Sequence, residues 1–164
     1  MAAPQATLVI IKPDAIKRGL VGAALSKLEP LQLEMIGAKA LPVSRELAEE
    51  HYKHIRQKPF FSETVEHLRG TIHGVSYVLA LVLWGPDAIE RVRQATGATN
   101  PEKAEPQSIR GALGRNLSTG LMENILHSSS DAVEAEREIR LWFKPHELWR
   151  EPFPATPAAA RSGR

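Results

Sequence analysis

The sequence predicts an α+β domain in which an antiparallel sheet is backed by helices, and three observations lead there. Two strongly apolar runs, residues 7–11 and 75–84, are far too short to cross a bilayer and suit buried strands. Between and after them lie segments whose apolar residues recur at helical spacing. Taken in order, the elements read strand, helix, strand, helical pair, strand, helix, strand, helix, which contains a βαββαβ unit.

Residues 7–11 are mostly β-branched, and Lys12-Pro13-Asp14 ends the run because proline cannot donate to a ladder and favours a turn. Residues 19–29 carry Leu20, Val21, Ala24, Leu25 and Leu28 at helical spacing, closed by Pro30. Residues 33–43 are apolar without a helical stripe and read as a strand. Ser44, followed by Glu46 and Glu49, opens a helix to about His54. After Lys58-Pro59-Phe60-Phe61, Ser62 caps a short helix with Val65 and Leu68 inward and Arg69-Gly70 at its end.

Residues 75–84 give the next strand, and Gly85-Pro86-Asp87 starts a helix with proline near its first position and Ile89, Val92 and Ala95 on its buried side. Residues 97–123 show no sustained period. Their four glycines, two prolines and several basic side chains predict an ordered loop whose length asks for a functional reason. Residues 124–127 form a short last strand. Ser130 or Asp131, with Glu134 three residues after the aspartate, resembles a capping box before a helix to Trp142 striped by Ala132, Ala135, Ile139 and Trp142. The organisation that follows is one domain over residues 1–150 and a Pro/Ala-rich tail over 151–164, flexible or packed on a neighbouring subunit.

At 164 residues, 43% hydrophobic and 24% charged, the chain has a globular composition and is too short for two ordinary domains. The absence of cysteine excludes disulfides, thiolate nucleophiles and zinc fingers. The net charge of +2 does not announce a nucleic-acid surface. Still, Arg91, Arg93, Lys103, Arg110 and Arg115 share a stretch whose only acids are Glu102 and Glu105, which suits an anionic ligand. With no leader pattern and no membrane-length apolar run, the expectation is a soluble, cytoplasmic protein.

Neither a Gly-Lys-Ser/Thr phosphate loop nor a G-x-G-x-x-G turn is present, so phosphate would have to be held by side chains. Arginine suits that task because its planar fork of donors stays charged. His127, at the end of the last predicted strand, can face a cleft as a nucleophile or serve as a hydrogen-bonded structural residue. At 100° per residue Glu138 lies about 60° off the apolar stripe of its helix. It can therefore turn toward the core and fix a histidine tautomer, or pair with an arginine outside. His51 and His54, three apart without a third ligand, read as surface histidines rather than a metal pair. Of Phe60 and Phe61, one can stack on a base or both can pack inward.

Several segments appear here in the order of one family: Ile11-Lys12-Pro13-Asp14, Arg18-Gly19-Leu20-Val21-Gly22, His51-Tyr52, Lys58-Pro59-Phe60-Phe61, Gly97-Ala98-Thr99-Asn100-Pro101, Ser108-Ile109-Arg110-Gly111, Asn124-Ile125-Leu126-His127 and Glu138-Ile139. On these the chain resembles the nucleoside diphosphate kinases over residues 7 to about 149. The resemblance implies a ferredoxin-like βαββαβ sandwich with a four-stranded sheet. It also implies ping-pong transfer of a γ-phosphoryl group from ATP to a nucleoside diphosphate through a phosphohistidine at His127, with Glu138 holding the ring. Arg93, Thr99 and Arg110 match positions that grip phosphates, Lys12 and Asn124 those at the sugar hydroxyls, and Phe60 the ring that stacks on the base; Tyr52 matches a residue beside Lys12 and the histidine. Mg²⁺ carried on the phosphates and a homo-oligomer, hexamer or tetramer, are implied as well. The alternative is a non-catalytic nucleotide-binding or scaffold protein of the same fold.

The chain departs from the family in three places. Ser128-Ser129-Ser130-Asp131 stands where the family commonly reads Gly-Ser-Asp-Ser. Between Arg110 and Asn124 the chain is longer than usual, and Glu123 replaces an arginine. The Arg115-Asn116 pair offers Asn116 as a second candidate for the sugar, but Asn124 keeps its spacing to His127.

Overall fold

The computed structural model describes residues 2–154. In chain order its elements are β1 (Pro4–Ile11), α1 (Pro13–Lys17), α2 (Val21–Leu28), β2 (Glu34–Leu41), α3 (Arg45–His51), α4 (Phe61–Arg69), β3 (Val78–Pro86), α5 (Ala88–Thr96), α6 (Ile109–Leu113), β4 (Arg115–Asn116), β5 (Met122–Glu123), β6 (Leu126–Ser128) and α7 (Ala132–Trp142). The main sheet has the order β2-β3-β1-β6 with every neighbour antiparallel, as the βαββαβ reading requires.

The apolar character of β1 places it at the centre. Leu8 and Ile10 face one core with residues of α3, α4 and α7, whereas Val9 and Ile11 face a second core with residues of α2, α5 and α6. A strand apolar on both faces needs cover on both, so helices pack on each side of the sheet. The central strand thereby delivers its C-terminal end, at Lys12, to the same edge as β6, where His127 pairs with Ile10.

Several boundaries differ from the sequence reading, each for a local reason. Pro13 opens α1 at its first position, where the missing N–H costs nothing, rather than making a turn. α4 begins at Phe61 with Phe60 as its N-cap, and Ser62 lies inside the first turn; the predicted stop is met, with Gly70 at φ +82°. Val75 donates its N–H back to Gly70, closing a turn, so β3 starts three residues late. Pro86 ends β3 instead of starting α5, and Thr96 rather than Ala95 occupies the buried place. Residues 97–123, expected as a loop, hold a 3₁₀ turn at Pro101–Lys103, α6 and the β4–β5 hairpin.

Asp131 caps α7 by accepting from the Glu134 N–H at 2.9 Å, but the Glu134 carboxylate turns to Arg137, so the box is half made. Ala132 is exposed and drops out of the apolar stripe. Residues 155–164 of the predicted tail lie outside the described residues. Its start does not hang free, since Phe153 packs against the first core beneath Arg140.

Candidate active site

Lys12, Tyr52, Phe60, Arg93, Thr99, Arg110, Asn124 and His127 all line one cleft of about 690 Å³, within the range of small-molecule sites. Glu138 stands behind His127. Nine side chains picked from separate segments of the sequence are thus brought together, and none of them is left elsewhere on the surface.

His127 sits on β6, and its Nε2–H donates to Glu138 Oε2 at 3.0 Å. The carboxylate is 2% exposed and also accepts from Ser129 Oγ at 2.7 Å, while Ser129 Oγ accepts from the Leu8 N–H at 3.0 Å. Glu138 is therefore fixed to the central strand through one hydroxyl. With the proton held on Nε2, the lone pair of His127 lies on Nδ1, the nitrogen a nucleophile needs. The serines after His127 thus include a residue of the site that the sequence reading did not identify.

His51 corrects an expectation. It is buried, not on the surface, and its ring packs edge to face against His127 at 4.5 Å between centroids. Trp142 Nε1–H donates to its Nδ1 at 3.1 Å, which puts the proton on Nε2, and burial pushes its pKa well below the usual histidine value. His51, His127 and Glu138 lie close enough to suggest a cation cluster. The proton on each Nε2 and the carboxylate already engaged by Ser129 instead describe a support for the His127 ring that is hydrogen-bonded through Glu138 and packed by His51, whose Nε2–H has no partner among the described residues. His54 does reach the cleft wall.

Between Asn124 and His127 the backbone is strained. Ile125 has φ +74°, a region that a β-branched residue rarely enters, and Leu126 N–H bonds back to the Asn124 carbonyl at 2.8 Å to close a γ-turn. The turn is held from both sides: Lys12 N–H donates to the Ile125 carbonyl at 2.9 Å, and Ile125 N–H donates to Asp14 Oδ2 at 3.0 Å. Asp14, fully buried, accepts on its other oxygen from His67 Nε2–H at 2.9 Å. Burial opposes its charge, but the His67 bond, Lys12 and the Ile125 N–H outweigh it and hold the carboxyl at about 2. In the sequence Asp14 stands only within a matching segment, and nothing marks a role for it or for His67, because the partners of Asp14 lie 111 and 53 residues away.

The cations face the same side. Burial lowers Lys12 to about 8, with Asp14 opposing and Arg110 adding to the drop, and its ammonium donates to Asn124 Oδ1. Arg110, also lowered by burial, to about 10, donates to the carbonyls of Asn124, Leu126 and Gly97 at 3.1, 2.7 and 3.3 Å. Two of its five donors thus fix the strained turn, a third ties the side chain to the end of α5, and two remain for a ligand. Gly97 has φ +86°, and a Cβ there would meet Ser108 Oγ at 2.3 Å, so only glycine brings the α5 end this close. Arg93 leaves the last turn of α5 exposed, and among the described residues its side chain makes no hydrogen bond.

Of the two asparagines, Asn124 lies in the cleft, donating to the Thr99 carbonyl at 3.0 Å, while Asn116 points to Asn100 at 2.9 Å on the hairpin. Glu123, 3% exposed, is charge-matched by Arg115 across the hairpin and accepts a hydrogen bond from His73 Nε2–H at 3.0 Å. That pairing closes the hairpin whose Gly120, Leu121 and Met122 line the cleft. Of the two phenylalanines, Phe60 is 51% exposed at the mouth and Phe61 packs against the core. Burial pushes the Tyr52 phenol pKa up, so the hydroxyl keeps its proton.

Comparisons with known proteins show what the chain as a whole is similar to. The family model described as nucleoside diphosphate kinase matches residues 5–148. A nucleoside diphosphate kinase of Pyrococcus horikoshii is 43% identical over 152 residues, 93% of each chain. One from Symbiobacterium thermophilum is 44% identical over 84% of this chain and 85% of its own. A transition-state mimic of the Borrelia burgdorferi enzyme with bound vanadate and ADP superposes with a TM-score of 0.81 at 33% identity, covering 90% of this chain and 92% of that one. The enzyme of Halobacterium salinarum in complex with CDP gives 0.81 at 38% identity over 91% and 93%.

Proposed function

We propose, since the chain belongs to the nucleoside diphosphate kinase family, that it carries the phosphoryl group between nucleotides on Nδ1 of His127. The overall reaction is that of the family: the γ-phosphoryl group of a nucleoside triphosphate passes to a nucleoside diphosphate. The observation that carries the His127 assignment is the Nε2–H bond to Glu138, which leaves the Nδ1 lone pair free in a cleft shared with three cations.

In the first half-reaction the Nδ1 lone pair attacks the γ-phosphorus of ATP, the bond to the bridging oxygen breaks, and ADP leaves with its electrons. In the second, an oxygen of the diphosphate attacks the same phosphorus, and the P–N bond returns its electrons to Nδ1. The Nε2 proton stays in place throughout, and Glu138 offsets the positive charge of the phosphorylated ring. Arg93, Arg110 and Thr99 take the phosphates, Lys12 and Asn124 the sugar hydroxyls, and Phe60 the base; Tyr52 forms the wall beside Lys12. Ser129 and Asp14 position these groups without touching the substrate.

Among the described residues lining the cleft, Glu63 is the one carboxylate, and it lies on α4, which Phe60 caps. The donor set thus suits Mg²⁺ that arrives on the nucleotide phosphates rather than in a protein cage. When bound, the ion neutralises phosphate charge. We further infer a homo-oligomer, hexamer or tetramer, for which exposed Met35 and Tyr77 offer apolar contact surface. A cytoplasmic location is proposed alongside; no helix among the described residues is long and apolar enough to cross a membrane.

Mixing the protein with ATP and no acceptor tests the ping-pong route. A burst of ADP stoichiometric with enzyme is expected. Release of ADP only after an acceptor diphosphate is added would rule out the phosphoenzyme.

A further inference from the structure

One stripe of α4 faces the cleft: Phe60 at the N-cap, then Glu63, Thr64 and His67, at the i, i+3, i+4, i+7 spacing of a single helix face. From the same helix Val65 and Leu68 enter the core, so this orientation is fixed by packing. The polar chemistry of the stripe is one-sided. Thr64 Oγ1 gives its proton to the Phe60 carbonyl at 2.9 Å and keeps only acceptor lone pairs. His67 gives its Nε2 proton to Asp14. Glu63 makes no hydrogen bond or ion pair among the described residues, and the other charged side chains along the cleft are the cations Lys12, Arg93 and Arg110.

Glu63 is exposed to solvent at the cleft beside Phe60, where its carboxylate repels phosphate and suits a ligand group other than phosphate. Beside a stacking aromatic, the complementary group is an N–H on the edge of a base. We propose that Glu63, with Thr64 next to it, makes the base subsite favour bases that present an amino group. Guanine, with adjacent N1–H and N2–H₂ donors, can engage the carboxylate twice; adenine and cytosine offer one amino group each. Uracil and thymine place carbonyl oxygens beside their single N3–H, and an acceptor facing an acceptor is left unpaired. Stacking on Phe60 accepts every base, and Glu63 grades them. This inference rests on the proposed reading that the Phe60 end receives the base.

CDP and UDP give the sharpest comparison, because they differ in the amino or oxo group at one ring position. The measurement is kcat/KM for each as phosphoryl acceptor, for the wild type, Glu63→Ala and Glu63→Gln, with GDP and ADP alongside. The wild type is expected to prefer CDP by about three- to tenfold, as for one charge-assisted contact at an open site. Glu63→Ala brings the ratio to near one, and Glu63→Gln, whose amide both donates and accepts, gives an intermediate value. A wild-type ratio near one, or a ratio that survives Glu63→Ala, overturns the proposal. The same ratio read as Kd by calorimetry needs no turnover. Loss of transfer with the binding preference intact would therefore count against the His127 chemistry and not against Glu63.

Discussion

The His127 end of the cleft and the Phe60 end are built in different ways. Around His127, the side chains behind the ring and the turn are held by buried partners: Glu138 by Ser129, Ser129 by Leu8, Asp14 by His67 and Ile125. Phe60 is half exposed, and the helix it caps offers Glu63 and Thr64 at its surface. The difference follows from the chemistry. On the proposed reading, phosphoryl transfer requires a preorganised nucleophile, and the strained turn with the buried charges of Lys12, Asp14 and Arg110 would supply that order. On the same reading the base lies on a flat ring with only an exposed carboxylate to grade it, and a site that takes several bases gains little from rigidity there.

If the two ends divide the work in this way, changes at the His127 end should reduce the rate and changes at the Phe60 end should mainly weaken binding. The largest effect is expected for His127→Ala, which lowers transfer by at least about 10⁴-fold because no other group can take the phosphoryl, while the calorimetric Kd for ADP stays within about threefold. Transfer in that variant at more than a trace would remove the distinction between the ends.

Next is Asp14→Ala, which strips the partner from both His67 and the Ile125 N–H. Stability should fall by about 2–4 kcal/mol in urea unfolding, as for a buried polar network broken at one member, and kcat by about 100-fold as the turn relaxes. An unchanged kcat in the folded variant would mean that the strained turn is not what aims His127.

Asp14 also sets a pH dependence. Its carboxyl lies at about 2 folded against 3.8 ordinarily, so its contribution of about 2 kcal/mol is present above pH 3.8 and lost as pH falls through about 2. His67 acts in the same direction earlier, because burial lowers its pKa below 6.5 and protonation then favours the unfolded chain. Acid unfolding of the wild type should therefore begin below pH 6.5 and steepen below 3.8, and Asp14→Ala should lose the steeper part. At the alkaline side, Lys12 loses its proton near pH 8, so kcat/KM should decline as pH rises through that value, and Lys12→Arg should move the decline upward.

The smallest effect belongs to the other end. Phe60→Ala should raise the KM for every nucleoside diphosphate about fivefold, at the low end of what a stacked ring contributes, with kcat unchanged. A fall in kcat instead would place Phe60 in the reacting geometry and blur the contrast.

Apolar pattern alone made the strands of the main sheet and most helices legible, since continuous apolar runs such as β1 and β3 and apolar residues recurring at helical spacing in α2 and α7 have few other uses. The nine side chains named in advance became legible only through their order along the chain; a lone histidine or lysine carries no such signal. What escaped the sequence was whatever depends on distant pairing. Asp14 looked like part of a turn until Ile125 and His67 met it, and His51 looked like a surface residue until Trp142 covered it. The β4–β5 hairpin was hidden for the same reason, being two residues to a strand and held by the Arg115–Glu123 pair rather than by an apolar pattern.

The most direct test of the central claim is to incubate the protein with γ-labelled ATP and Mg²⁺, quench in alkali and map the label. Acid-labile label on His127 that GDP then removes as GTP is the predicted result. ATP bound without label on the protein, or label on any residue other than His127, would contradict it.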